Sequence, residues 1–223
     1  MKTKAAAIAT DPESAAAAEE LLAAKGSAAD AVVAAYLSMA ARSAGVLLAP
    51  AIALVGGAGA GARAFDGRAL QPGAGAARPR GTPAEESPLL EARAAVPRAP
   101  HMAILLHASQ GRRPLRELTK RAVAEARAAG ARRRADLLSQ LGEGGMQALA
   151  RASVVEPMLA AASGNVGGLV TEEDLATARA DDVPARVSDV TADLRVVREP
   201  WPSAGKAQVA AVAAVDSWGL VAG

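Results

Sequence analysis

Asp66-Gly67-Arg68 is where residue types and spacing in this sequence first suggest chemistry. A guanidinium held at a strand end by a glycine turn is placed to fork onto a carboxylate, offering two parallel N–H donors where a lysine offers a point charge. The same three residues also read as a solvated turn with two opposite charges. Other candidates have weaker footing. The glycines at 56, 57, 59 and 61 could cradle a phosphate, but no capped helix and no Gly-Lys-Ser/Thr follows them. His101 and His107 are six residues apart, off a common helix face, which reads as core or surface histidines and not as a metal pair. No metal and no cofactor is expected. The absence of cysteine excludes disulfides, thiolate metal sites and a cysteine nucleophile. Arg112, Arg113, Arg116, Lys120, Arg121, Arg127 and Arg132 to Arg134 face only Glu117 and Glu125 in sequence, a run that could dock on nucleic acid. With 2% aromatic residues for base stacking and a formal net charge of +2, the basic run 112–134 reads as a solvated face, or one suited to an acidic partner, and no nucleic acid is expected.

The elements around Asp66 and Arg68 follow from pattern. Ala51 to Val55 and Ala62 to Phe65 are apolar runs flanking the glycine cluster, which predicts a β-hairpin whose second arm delivers the Asp-Gly-Arg turn. Upstream, Ala5 to Thr10 reads as a short strand. Asp11 caps a helix with Pro12 at its first position, and Gly26 is expected to end it as a left-handed C-cap. Ser27 and Asp30 resemble a capping box opening a second helix over ADAVVAAYLSMAARS, apolar on most sides and expected to lie buried against the hairpin. Residues 67–100 are rich in Pro, Gly and Ala without a usable period and read as a long irregular loop, a spacer or a wrap over a partner.

Helices return at His101 to His107, ended by Gly111, and continue from Pro114 through LRELTKRAVAEARAAG, ADLLSQLG, MQALARAS and EPMLAAAS. Thr171 to Asp174 caps another short helix. Beyond Pro184 the pattern turns extended, at Arg186-Val187, Leu194 to Val197 and Gln208 to Val215. Asp216 to Gly219 signals a turn, and Leu220 to Ala222 starts a return strand expected to leave an unpaired edge.

At 223 residues one domain is expected, of α+β class with antiparallel strands packed on helices, the strands at 5–10, 51–66 and 207–215 sharing one sheet region. The chain is 51% hydrophobic but 2% aromatic, so much of the apolar content is alanine, and the core must rely on close helix packing or on a partner. Ala5 to Ala9 is too short for a signal sequence and no run is long enough to span a membrane, which points to a cytoplasmic protein without membrane association.

The order of these pieces resembles the γ-glutamyltranspeptidase family of N-terminal-nucleophile hydrolases. AIATDPESAAAAEELLAAKGSAADAVVAA is similar to that family's opening, and where the family has a glycine-bearing hairpin leading to a D-G-R-E turn this chain has Asp66-Gly67-Arg68. Val96-Pro97, then His107, Gly111, Pro114 and Leu118, look like its V-P-G and L-H-x-x-x-G-x-L-P region. Gly167 to Ala176 resembles its G-G-L-x-T-x-E-D-L-A segment, and Pro202-Ser203-Ala204-Gly205 its P-P-x-S-S-G-G. The resemblance runs from about residue 5 to the end, thin between 69 and 95. It implies part of an αββα sandwich and a substrate site in which Arg68 binds the α-carboxylate of a small γ-glutamyl-like ligand, with Asp66 and Ser203 beside it.

Departures matter as much. Ala69 stands where the family has Glu, Arg98 where V-P-G has its glycine, and Ala204 where it has a second serine. The family cleaves itself to expose a threonine whose hydroxyl attacks the amide while its own amine takes the proton. Aligning Asp216 and Gly219 with the strand after that threonine puts the nucleophile near Val209, which has no hydroxyl. No catalytic residue is therefore assigned in this chain. Two accounts follow: a component of an amidase or acyl-transferase acting on γ-glutamyl-like amides, its threonine on a second chain, or a shortened, non-catalytic relative kept for binding or assembly. The partner is then that second chain, or further copies of this one in a homo-oligomer.

Overall fold

A computed structural model describes residues 4–57, 59, 61–73, 91, 94–191, 195–201 and 210–223. Among the described residues there are eight strands: β1 (Ala6–Ala9), β2 (Ala51–Gly57), β3 (Arg63–Gly67), β4 (Asp181–Pro184), β5 (Arg186–Asp189), β6 (Arg195–Arg198), β7 (Val212–Val215) and β8 (Leu220–Ala222). Six of them form one antiparallel sheet in the order β1-β7-β8-β2-β3-β4, and β5 and β6 pair separately. The segments expected to share a sheet do so. The return strand is not an edge: β8 lies between β7 and β2, and paired hydrogen bonds between Leu54 and Gly223 prolong its ladder. The edges are β1 and β4. Gly57 permits this, because a Cβ there would stand 2.4 Å from the Gly219 carbonyl oxygen in the β7–β8 turn.

The helices are α1 (Pro12–Ala23), α2 (Ala28–Arg42), α3 (Ala44–Leu48), α4 (Ala99–Gln110), α5 (Leu115–Ala128), α6 (Arg132–Gly144), α7 (Met146–Leu149), α8 (Ala152–Ala162) and α9 (Glu172–Thr177). Asp11 caps α1, and reciprocal capping boxes at Ser27/Asp30 and Thr171/Asp174 open α2 and α9. The end of α1 differs from expectation. The left-handed residue is Lys25, at φ 63°, and Gly26 follows it with its N–H on the Leu21 carbonyl. This is a Schellman closure moved back by one residue; Gly26 is required instead by crowding, since a Cβ there would lie 2.8 Å from Leu21 O.

Alanine sets the packing. Ala28, Ala29, Ala31, Ala35, Ala40 and Ala41 of α2 are fully buried, which lets α1 and α5 approach closely. Helix α2 was expected against the hairpin, but its main neighbours are α1, α4, α5, β7 and β8, while α4 lies beneath β2 and β3. The reason is the strand order, which inserts β7 and β8 between β1 and the hairpin. The helix-facing row of the sheet is buried at Ala53, Val55, Phe65, Ala214, Leu220 and Ala222. The opposite row is unevenly covered: Ala64 and Asp66 are buried, whereas Ile8 is 71% exposed and Val221 50%, and among the described residues β6 is laid over part of it, Val197 sitting against Gly56.

Candidate functional site

The site grows from the end of β3. Gly67 closes that strand, and a Cβ on it would fall 2.6 Å from Met102 Cβ and 3.1 Å from Ala99 Cα. Only glycine therefore lets the first turn of α4 lie against the strand end. Leu70 and Val96 exchange backbone hydrogen bonds of 3.0 and 2.9 Å, fixing the entry to α4. Arg98, the residue before α4, is delivered beside Arg68.

Asp66, buried, is the centre of the resulting cluster. It accepts from Arg68 Nε at 3.0 Å, Arg68 Nη2 at 2.9 Å and the Arg68 backbone N–H at 2.8 Å. Arg98 Nη2 lies 3.1 Å from Asp66 Oδ2, the oxygen that also accepts from Arg68 Nη2. Arg98 also donates to Arg68 O at 2.7 Å, and through Nη1 to Arg179 O and to Asp181 Oδ2, both at 2.8 Å. Asp181 is at hand because β4 pairs with β3 in the register Asp66↔Asp181. Burial pushes the Asp66 carboxyl up, but the Arg68 hydrogen bonds and the charges of Arg98 and Arg68 outweigh it and hold it below its usual value. The Arg68 guanidinium is raised by its hydrogen bond to Asp66.

Arg68 remains 35% exposed at its side chain, with the Trp201 ring 4.7 Å from Cζ. Its Nε–Nη2 edge is occupied by Asp66, so a ligand carboxylate would meet the Nη1 side, against the Trp201 face. Arg68 and Arg98 stand against Asp66 and Asp181, so an arriving anion would be met by the exposed side of Arg68. Ser203 and Val209 lie outside the described residues. Arg98, Asp181 and Trp201 were not anticipated as site residues. Arg98 had a signal, an arginine where the resembling motif carries glycine.

The remaining candidates fall elsewhere. His107 is 16% exposed and its Nε2 lies 2.7 Å from Arg113 O and 3.7 Å from Asp30 Oδ1. His101 is buried in α4, and no group of three or more metal-ligating side chains forms among the described residues. The basic run is better paired than the sequence suggested. Arg113 bonds Glu117, and Arg121 reaches Glu125 and also Glu13 and Glu20 of α1, while Arg112 stacks 3.8 Å from the Trp218 ring. A second carboxyl centre lies at the start of α2. Asp30 Oδ2 accepts from the N–H groups of Ser27, Arg112 and Arg113, and Asp216 accepts from those of Ala28, Trp218 and Leu220.

The fold matches solved structures of known activity. A γ-glutamyltranspeptidase from Pseudomonas nitroreducens superposes with a TM-score of 0.75 at 19% identity, covering 89% of this chain and 71% of that one. The Helicobacter pylori γ-glutamyltranspeptidase gives 0.73 at 18%, covering 92% and 72%. The Bacillus anthracis transpeptidase CapD gives 0.69 at 15%, covering 92% and 78%. No family model matches the sequence, and no curated protein matches it. At these identities the likeness is one of fold, shared with the γ-glutamyltranspeptidase and CapD structures.

Proposed function

We propose that this chain is a γ-glutamyltranspeptidase-like component of an amidase or acyl-transferase acting on γ-glutamyl-like amides, with Arg68 as the anchor for the substrate's carboxylate. The observation that carries this is the partly exposed Arg68 guanidinium, fixed by the buried Asp66. Asp66 serves by holding Arg68, since its oxygens already face two arginines. Ser203, placed beside the ligand by resemblance, completes the proposed site. The nucleophile comes from a second chain beginning with threonine. Its hydroxyl would attack the amide carbonyl, its α-amine would take the hydroxyl proton and pass it to the departing amine, and the γ-glutamyl group would remain as an ester until water or another amine accepts it. The open row at Ile8 and Val221 gives such a chain a sheet face to cover.

A second reading, a non-catalytic relative kept for binding or assembly, is favoured by one observation: the residue matching the nucleophile is Val209. A chromogenic γ-glutamyl anilide assay with mass spectrometry separates the two. The purified chain alone is expected to release no anilide above the buffer rate, because binding without a nucleophile lowers no barrier to acyl transfer. Addition of the neighbouring gene's product, if it opens with threonine, is expected to start release. Turnover by the uncleaved chain without a partner overturns the two-chain reading, and inactivity with every such partner leaves the binding role.

A further inference from the structure

The cations of α5 divide between two sides of the helix, and the two sides are treated differently. On the side turned to α1 and α2, Arg121 reaches Glu13, Glu20 and Glu125, and at the entry to the helix Arg113 bonds Glu117. Arg116, Lys120 and Arg127 lie on the solvent side, exposed, and none has an ion-pair partner among the described residues. Positions i, i+4 and i+11 fall on one face of an α-helix, so these three form a stripe about 16 Å long. The turn after α5 is tight, with the Ala131 N–H on Ala126 O, and α6 opens beside it with exposed Arg132 and Arg133. We propose that this face docks an acidic α-helix of a partner protein, its carboxylates on Arg116, Lys120 and Arg127 and its backbone over Ala124 and Ala128.

Arg116 and Lys120 stand one turn apart, the spacing at which opposite charges stabilise a helix and like charges destabilise it. Glu117 and Glu125, the acids of α5, are held by Arg113, Arg121 and Arg42. Arg132 and Arg133 sit in the first turn of α6, where the helix dipole favours acids. The free chain therefore bears a repulsion on this face that an arriving set of carboxylates relieves. Between the cations, Ala124 and Ala128 are exposed and carry only methyl groups, which lets a second helix approach closely, as α1 does on the alanines of α2. A helix about 10 Å wide can settle on α5 alone. A nucleic-acid duplex broad enough to touch α6 as well would meet the exposed carboxylates of Asp136 and Glu143, and residues 112–144 hold no aromatic ring on which an unpaired base could stack. The inference is independent of Arg68 and its proposed ligand.

The test is fluorescence anisotropy of a labelled alanine-based helical peptide whose glutamates are spaced seven and four residues apart, titrated with the full chain at low salt. Saturable binding is expected, weakening as salt is raised. Arg116→Gln/Lys120→Gln/Arg127→Gln should weaken it about tenfold or more, the combined effect of three exposed pairs, whereas Arg121→Gln on the paired side should leave it within about twofold. Lys120→Glu adds a second readout. It should raise the unfolding midpoint of the free chain, because it gives Arg116 an opposite charge one turn away, and in the same chain it should weaken the peptide. If the triple variant does not fold, Lys120→Glu alone decides. Equal binding of the same peptide with its glutamates scattered around the helix, tighter binding of a short mixed-sequence DNA duplex, self-association of the chain in place of peptide binding, or unchanged affinity in either stripe variant would each overturn the proposal.

Discussion

Asp66 and Asp30 are both buried carboxyl groups next to an element boundary, and they are satisfied in opposite ways. Asp66 is held by the side chains of Arg68 and Arg98, with one backbone N–H added. Asp30 is held through Oδ2 by three backbone N–H groups, from Ser27, Arg112 and Arg113, and Asp216 nearby is held by three more. Guanidinium groups on long side chains can redistribute their donors when an anion arrives. Main-chain donors fixed by helices and turns cannot. The first arrangement is suited to binding, the second to fixing the start of α2 against the β7–β8 turn and the α4–α5 connection.

The sharpest way to break this comparison is to ask whether each centre can be rescued. Asp30→Leu strands three donors, at about 1–3 kcal/mol each where burial is complete, for an expected loss of about 4 kcal/mol or more in denaturant unfolding. No second side-chain change should restore it, because the partners are main chain. Arg98→Met leaves Asp66 with Arg68 alone and should cost about 3–5 kcal/mol, the range for a broken buried ion pair. Here Asp66→Leu in the same chain should recover part of the loss, since it removes the under-paired buried carboxylate while the Arg68 it releases is partly exposed and can be solvated. Equal rescue at both centres, or at neither, would erase the distinction.

Acid should act on the same side of the comparison. His101, one turn along α4 from Arg98, has its value lowered from 6.5 to about 4, so the unfolded chain binds more protons between those limits. Stability should fall as pH drops from 6.5 to about 4, by about 3 kcal/mol from this group, and His101→Leu should flatten that stretch. Asp66 adds a later loss: its contribution is present above its ordinary value of 3.8 and disappears as pH falls below it. A wild-type stability profile flat from pH 6.5 to 4 would contradict the buried neutral imidazole.

A smaller effect tests the anchor itself. Arg68→Lys keeps the charge but loses the fork on Asp66 and the flat face toward Trp201. Binding of glutamate-like ligands, read by calorimetry, should weaken by about 1–3 kcal/mol, with unfolding changed less than by Arg98→Met. Unchanged affinity would remove Arg68 from the proposed site.

Much of the fold was legible because its signals are local. Asp11, the Ser27/Asp30 and Thr171/Asp174 boxes, the glycine hairpin and the Asp216 to Gly219 turn each specify an element within a few residues. What was not legible depends on register between distant segments. The interior place of β8 follows from its pairing with β2, and the partners of Asp66 arrive from α4 and β4, far along the chain. Arg98 looked like a defect in a motif because its meaning lies in a strand end it meets only after folding. The Lys25 closure was missed for another reason: glycine at position 26 is needed for space, and the usual link between glycine and a left-handed cap misled.

The least effect is expected where charges are many but wet. Arg121 joins α5 to α1 by reaching Glu13 at 3.2 Å and Glu20 at 3.6 Å, and within α5 it bonds Glu125 at 2.8 Å. Glu13 and Glu20 are about 60% exposed, so water competes for each bond and salt screens it. The nonpolar faces of α1, α2 and α5 already hold these helices together through close alanine contact. Arg121→Gln should therefore cost no more than about 1 kcal/mol at low ionic strength, and the difference from wild type should shrink as salt is raised. The Arg98→Met difference should persist in the same salt series, because Arg98 and Asp66 are each at least 93% buried at the side chain. If the two variants respond to salt alike, then the Asp66 cluster is solvated as the α5 surface is, and the contrast between a buried ion cluster and a wet one fails.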